Sequence, residues 1–266
     1  MQYQIGINAD CIAGDYCAIL RKIKELGFSS FFMSAELENI SQYKRLADEL
    51  GLNFEFLHAE WEGINAMWQE GEECVFIYEK MRKAIDLCAE NDIPAVIIHT
   101  SSGWCPPAAG ALGFSRFDSL VNYAKEKGVI IAFENLRGVD TLRYITGRYK
   151  DFDNVRYCYD VGHANCYTPY VDWIGMFGEK LMYTHIHDNL LFPGYDRDGD
   201  SHFLPFDGKI DYRDELRRLA KVGYKGSLML ECFKEVKEEY QKMTMEEFLT
   251  LAKERVQKLV EIIQEF

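Results

Sequence analysis

Residues 129–160 read VIIAFENLRGVDTLRYITGRYKDFDNVRYCYD, and their pattern decides the fold. Val129-Ile130-Ile131-Ala132-Phe133-Glu134 is a short apolar, β-branched and aromatic run, the mark of a buried strand. A segment of helical period follows near 140–150, and Val155-Arg156-Tyr157-Cys158-Tyr159-Asp160 is a second run of the first kind. Strand, helix and strand in this order make a βα unit feeding a parallel sheet. Both runs end on a carboxylate.

The same unit recurs in both directions along the chain. Strands are expected near 3–8, 29–34, 53–58, 94–99, 129–134, 155–160, 181–187 and 227–232. Amphipathic helices are expected near 15–26, 40–50, 72–91, 111–127, 140–150, 170–179, 211–221 and 245–265. Leu26-Gly27, Leu50-Gly51 and Lys127-Gly128 put a glycine where a helix stops before the next strand. Thr244-Met245-Glu246-Glu247 is a capping-box pattern at the start of the last helix. Eight such units in a chain of 266 residues predict a single (β/α)8 TIM barrel spanning 1–266, with a long loop of about 188–210 after the seventh strand. Nothing between them has the proline, glycine or serine content of an interdomain linker.

The bulk properties narrow the function classes. A net charge of −13 gives a surface that on average repels a phosphate backbone, so no nucleic-acid partner is expected. The eight cysteines form no CxxC pair and several sit inside apolar runs, which predicts reduced and mostly buried thiols. The N-terminus enters a strand without a basic and then apolar leader, and no apolar run approaches the roughly 20 residues of a membrane span. A cytoplasmic protein without membrane association is the expectation.

In a (β/α)8 barrel the loops after the strands meet over one open mouth, so side chains at the strand ends converge there. Strand three ends at His58, strand four at His99, strand five at Glu134, strand six at Asp160, strand seven at His185 and His187, and strand eight at Glu231. His163 and His202 lie in the loops after strands six and seven, so all six histidines map to one face. The plain alternative makes Glu134 and Glu231 rim carboxylates paired with Arg137 or Lys234. Carboxylates at three strand ends in a poorly hydrated site repel one another unless a cation or protons neutralise them. A divalent metal is the simplest solution. Oxygen ligands with one imidazole suit Mn²⁺, Mg²⁺ or Co²⁺, and a histidine-rich cluster leans toward Zn²⁺.

Ala132-Phe133-Glu134-Asn135, Tyr159-Asp160-Val161-Gly162-His163, His185-Ile186-His187-Asp188-Asn189, Asp200-Ser201-His202 and Leu230-Glu231 together resemble the xylose isomerase-like TIM-barrel superfamily, over essentially the whole chain. The superfamily contains sugar isomerases and epimerases together with endonuclease IV. By the resemblance to the sugar epimerases, Glu134, Asp160, His185 and Glu231 hold one divalent metal, Mn²⁺ ahead of Mg²⁺, Co²⁺ and Zn²⁺, and His163 reaches a substrate oxygen. Glu134 and Glu231 are then the expected catalytic pair, removing and returning the proton next to a carbonyl through an enediolate.

The resemblance to endonuclease IV implies a larger ligand set, with His58, His99, His163, Asp200 and His202 as additional metal ligands, and hydrolysis of a phosphodiester in abasic DNA. Here the segment after strand seven has serine where arginine is expected. The acidic loops Asp10–Asp15 and Ser34–Glu38 further favour a small-molecule sugar over DNA. A barrel that binds metal or sugar without catalysis is a third class.

Trp61, Trp68 and Trp104 follow strands three and four, where their faces suit either a sugar ring or simple rim packing. Trp104, Arg137, His58, His99 and His163 complete the expected substrate-binding set. Arg137 and Arg197 allow a phosphorylated or acidic sugar, but the basic residues are too scattered to specify one. The loop 188–209 is the expected lid. A homo-oligomer is consistent with the resemblance.

Overall fold

Eight parallel strands succeed one another around a barrel in the computed structural model of the chain, which describes residues 3–190 and 199–266. They are β1 Ile5–Asn8, β2 Ser30–Ser34, β3 Asn53–His58, β4 Ala95–Ile98, β5 Ile130–Glu134, β6 Val155–Asp160, β7 Leu181–His185 and β8 Leu228–Leu230. Each pairs with its sequence neighbour as far as β7, and β1 also pairs with β8. The seam between β7 and β8 is drawn together by a bridge at Ile186 and Leu230. There the Ile186 amide donates to the Met229 carbonyl at 2.8 Å and the Glu231 amide to the Ile186 carbonyl at 3.1 Å.

The helices are α1 Tyr16–Glu25, α2 Ile40–Leu50, α3 Glu73–Glu90, α4 Ala111–Lys127, α5 Val139–Arg148, α6 Val161–Tyr167, α7 Trp173–Phe177, α8 Tyr212–Lys221, α9 Glu238–Gln241 and α10 Met245–Ile263. Apolar residues sit in two layers. Phe32, Phe56, Ile97, Ala132 and Met229 fill the barrel interior, and a larger cluster packs the strands against the helices. Burial of that second layer is the main stabilising contribution, because it removes the apolar faces of strands and helices from water at once. The expected helix-ending glycines behave accordingly: Gly51 and Gly128 follow α2 and α4 with φ of 64° and 74°, a region where a Cβ is unfavourable.

Two short helices, α6 and α9, were not foreseen in the sequence, and His163, expected in a loop, belongs to α6. Asp160 is the reason. It ends β6 in extended geometry and its side chain accepts the His163 amide at 2.5 Å, capping α6 directly off the strand. A seven-residue helix carries too few turns for a periodic signal.

The expected long loop falls partly on residues 191–198, outside the described residues, as does Arg197. Its described base is ordered by Asp188. That buried carboxylate accepts the backbone amides of Asn189, Phe206 and Ile210 at 2.8, 2.9 and 3.1 Å. Asp188 also exchanges backbone hydrogen bonds with Phe203. All eight cysteines are described and no disulfide joins them. No helix among the described residues is long and apolar enough to cross a membrane.

Candidate metal centre at the barrel mouth

Glu134 lies at the hub of the strand ends, with no exposure to solvent. Its Oε2 is 3.3 Å from His58 Nε2 and 3.0 Å from His99 Nε2. Its Oε1 is 3.1 Å from His185 Nδ1 and 3.3 Å from His163 Nδ1. One carboxylate therefore touches imidazoles delivered by four elements of the barrel. His185 Nδ1 also lies 3.4 Å from Glu231 Oε2 and 3.9 Å from Asp160 Oδ2. On the other flank, Asp200 Oδ2 is 3.2 Å from His163 Nε2 and 3.6 Å from His202 Nε2, and His187 Nε2 is 3.2 Å from Asp160 Oδ1.

Three of the rings are pinned in a telling way. His58, His163 and His202 turn Nδ1 to the backbone carbonyls of Ala59, Asn135 and Glu231, at 2.8, 3.0 and 3.0 Å. With Nδ1 held on a carbonyl, each ring turns its Nε2 toward a carboxylate, where it can share a proton or, once deprotonated, meet a cation. This is the outer support that orients imidazole ligands around a metal. Asp160 Oδ2, Asp200 Oδ1 and His99 Nδ1 are buried with no hydrogen-bond partner, a costly state that a ligand relieves.

The donors fall into linked groups whose ligand atoms lie within 4.8 Å of one another: Glu134, Asp160, His185 and Glu231; His58, His99 and Glu134; His58, His185 and Glu231; and His163, His187, Asp200 and His202. Glu134 belongs to the first and second of these, one oxygen to each. The donor chemistry fits a divalent cation in the first group, which offers three carboxylates and one imidazole, and a softer ion in the histidine-rich groups.

The charges interlock. Burial alone would raise the Glu134 carboxyl, but His185, His99 and hydrogen bonds from His163 and His185 outweigh it and hold it well below the usual carboxylate range. Asp160 is lowered against its burial by His163 and His187, and Asp200 well lowered by His163 and His202. Burial would lower His163 and His185, yet Asp160 and Asp200 raise the first, and Cys158, Glu231 and Glu134 the second, well above the ordinary histidine value. His202, also desolvated, is carried up to about 9, chiefly by Asp200. His99 goes the other way, its burial outweighing Glu134. Raised histidines face lowered carboxyls across the cluster, so a bound cation would compete with protons for the same atoms.

The cluster opens into a cavity of about 770 Å³ whose wall includes Glu231, His163, Asp200, His202, His58 and His99. Glu134, Asp160 and His185 lie beneath that wall. Trp104, Arg137 and Trp61 also line it, and Trp61 stacks on His99. Trp68 does not; it is buried against Phe114 and Phe117, and its indole donates to the Thr100 carbonyl at 2.6 Å. The plain salt-bridge alternative fails, because Arg137 rests on aromatic rings and Lys234 donates to the Gln241 carbonyl.

Sequence reasoning brought His187 to the mouth without giving it a role, and passed over the parts of Gly162 and Asp10. His187 joins the outer ligand group, and its place two residues beyond His185 was a usable signal, since alternate residues of an extended segment face one way. Gly162 gives His187 its room: a Cβ there would sit 1.9 Å from the imidazole Cε1. Asp10, after β1, reaches the cavity with its carboxylate accepting from Asn8 and the Ser34 amide, and burial raises its pKa. Nothing in its surroundings in sequence marks it.

Fold and site together define a (β/α)8 barrel with a cluster of candidate metal ligands at the C-terminal ends of its strands. The chain belongs to the xylose isomerase-like TIM-barrel family, whose model matches residues 20–255. An uncharacterised protein of Methanocaldococcus jannaschii is 26% identical over 259 residues, covering 89% of this chain and 86% of its own. Among solved structures, a D-tagatose 3-epimerase-like protein superposes with a TM-score of 0.75 at 22% identity, covering 100% of this chain and 99% of its own. An L-ribulose 3-epimerase has a TM-score of 0.75 at 16% identity, covering 99% and 96%. At these identities the structural likeness establishes the shared fold.

Proposed function

We propose that the protein is a metal-dependent isomerase or epimerase of a sugar or sugar derivative. One observation carries the reading: the buried group Glu134, Asp160, His185 and Glu231 lies at the floor of a cavity large enough for a small polyhydroxylated molecule. The likeness to barrels named as 3-epimerases supports the same direction. Glu134, Asp160, His185 and Glu231 would hold a divalent cation, Mn²⁺ first, and when bound it would supply Lewis-acid chemistry to the substrate.

The chain's own residues divide the remaining work. Glu231 faces the cavity and is assigned removal of the proton next to the carbonyl. Glu134, the other carboxylate of the expected pair, is enclosed by imidazoles and is assigned the ligand role together with any return of the proton from below. His163, which lines the cavity with Nε2 3.2 Å from Asp200, is assigned a substrate oxygen, where an N–H on its ring would offset charge developing on the enediolate. The carbon to which the proton returns separates isomerisation from epimerisation.

Incubation of the Mn²⁺-loaded protein with a panel of ketoses in D₂O tests the reading, and deuterium at the carbon beside the carbonyl is the expected result. Tight metal binding without exchange into any ketose would sink it.

A second reading, phosphodiester hydrolysis at a multinuclear centre, is favoured by one observation. The donors form several groups rather than a single one, three of them overlapping through Glu134, His58, His185 and Glu231. Metal content per chain separates the two: one Mn²⁺-like ion supports the sugar reading. Two or three ions including zinc, with nicking of an abasic oligonucleotide, move the assignment to hydrolysis.

A further inference from the structure

Arg137 follows the hub residue Glu134 by three positions and lines the same cavity. Its guanidinium carbon lies 3.5 Å from the centroid of the Tyr167 ring and 4.7 Å from that of Trp104. The two rings stand at 87° to each other, so the cation is seated in an aromatic corner. Tyr167 in turn stacks on His163, with centroids 5.5 Å apart, which ties this corner to the candidate metal centre.

Among the described residues the guanidinium is held by its faces alone. Among the described residues no carboxylate or carbonyl accepts from Arg137, and its Nε is buried without a hydrogen-bond partner. This contrasts with the acids around it. Glu36 and Glu60 on the rim share Lys80 at 2.8 and 3.2 Å, and Asp200 and Glu231 engage imidazoles. Arg137 is the one arginine or lysine among the described residues on the cavity wall. Aromatic contacts stabilise a guanidinium through its faces and leave its planar fork of N–H donors free. Such a fork matches the paired oxygens of a carboxylate or phosphate. Leaving it unsatisfied in a partly buried site costs free energy unless a ligand completes it.

We infer that the substrate carries an anionic group, a terminal carboxylate or phosphate, which the edge of Arg137 receives while the keto or hydroxyl end meets the ligand cluster. The inference rests on the sugar reading of the cavity and specifies its substrate class as an acidic or phosphorylated sugar. Trp104 and Tyr167 act as positioning residues that aim the fork.

Calorimetric titration of one matched set tests this: D-tagatose, D-tagatose 6-phosphate, D-tagaturonate, and inorganic phosphate. At least one of the two anionic sugars should bind at least tenfold more tightly than the neutral one, the range of a charge-assisted bidentate contact. Whichever anion is preferred identifies the source of the charge. Arg137→Gln should lower the affinity for the preferred anionic sugar at least tenfold more than it lowers that for D-tagatose, and Arg137→Lys should restore part of the preference. Equal binding of neutral and anionic sugars by the unaltered protein, or a preference that survives Arg137→Gln, overturns the inference. If no sugar binds but inorganic phosphate does, and Arg137→Gln removes it, the sugar reading fails and the anion site stands. Binding of none of the four overturns both.

Discussion

Gly162 shows how much of the centre depends on a side chain that is not there. Its α-carbon faces the His187 imidazole so closely that any Cβ would displace the ring, and His187 stacks on His202 with centroids 3.9 Å apart. Gly162→Ala should therefore disorder the outer group of His163, His187, Asp200 and His202, while the group containing Glu231 persists. Proton NMR of the histidine rings checks this: displaced signals of His163, His187 and His202 are expected, and ring signals that do not shift would contradict the assignment. At Glu231, replacement by Gln removes a cavity-facing base and a ligand charge. Turnover should fall by about 10²–10⁴, the range for a positioned proton carrier, with the thermal midpoint nearly preserved. Near-normal activity on the true substrate would show the acid/base assignment to be wrong.

At the scale of elements, legibility followed signal length. The apolar runs ending at Glu134 and Asp160 lie where they were read, and α10 opens on the capping box anticipated at Thr244. Its hydroxyl accepts the Glu247 amide, and the Glu247 carboxylate accepts the Thr244 amide at 2.7 Å. Thr244→Ala should cost about 1 kcal/mol in denaturant unfolding and leave metal content untouched, because α10 packs on the outside of the barrel. A change in metal stoichiometry would mean that the outer layer communicates with the mouth. The short α6 was invisible for the opposite reason. It depends on one side chain, Asp160, whose capping role emerges only when the strand before it is in place.

For the whole molecule, the balance between protons and metal sets the pH response. The His202 pKa stands near 9 in the folded protein against 6.5 ordinarily, and His163 and His185 are raised as well. A raised histidine contributes stability that is complete below its unfolded value and is lost as pH climbs through the folded one. Chelator-treated protein should therefore lose thermal stability between about pH 6.5 and 9. The lowered carboxyls of Glu134 and Asp200 contribute above the ordinary carboxylate range and are lost in acid. A bound divalent cation displaces those protons, so Mn²⁺ should raise the thermal midpoint more at pH 9 than at pH 6. Parallel pH curves with and without metal would argue against a metal at this cluster.

The order of strands, the barrel and the convergence of Glu134, Asp160, His185 and Glu231 on one mouth were determined by the sequence alone. Period and strand-end position are local properties, and barrel closure turns a strand-end position into a shared location. Tertiary structure decided which oxygen of Glu134 meets which histidine, that His187 belongs with His202, that Trp68 is core while Trp61 and Trp104 are wall, and that Arg137 sits between rings with its donors unclaimed. Those outcomes depend on ring orientations and distances across strands far apart in sequence, which arise only when the two apolar layers have packed.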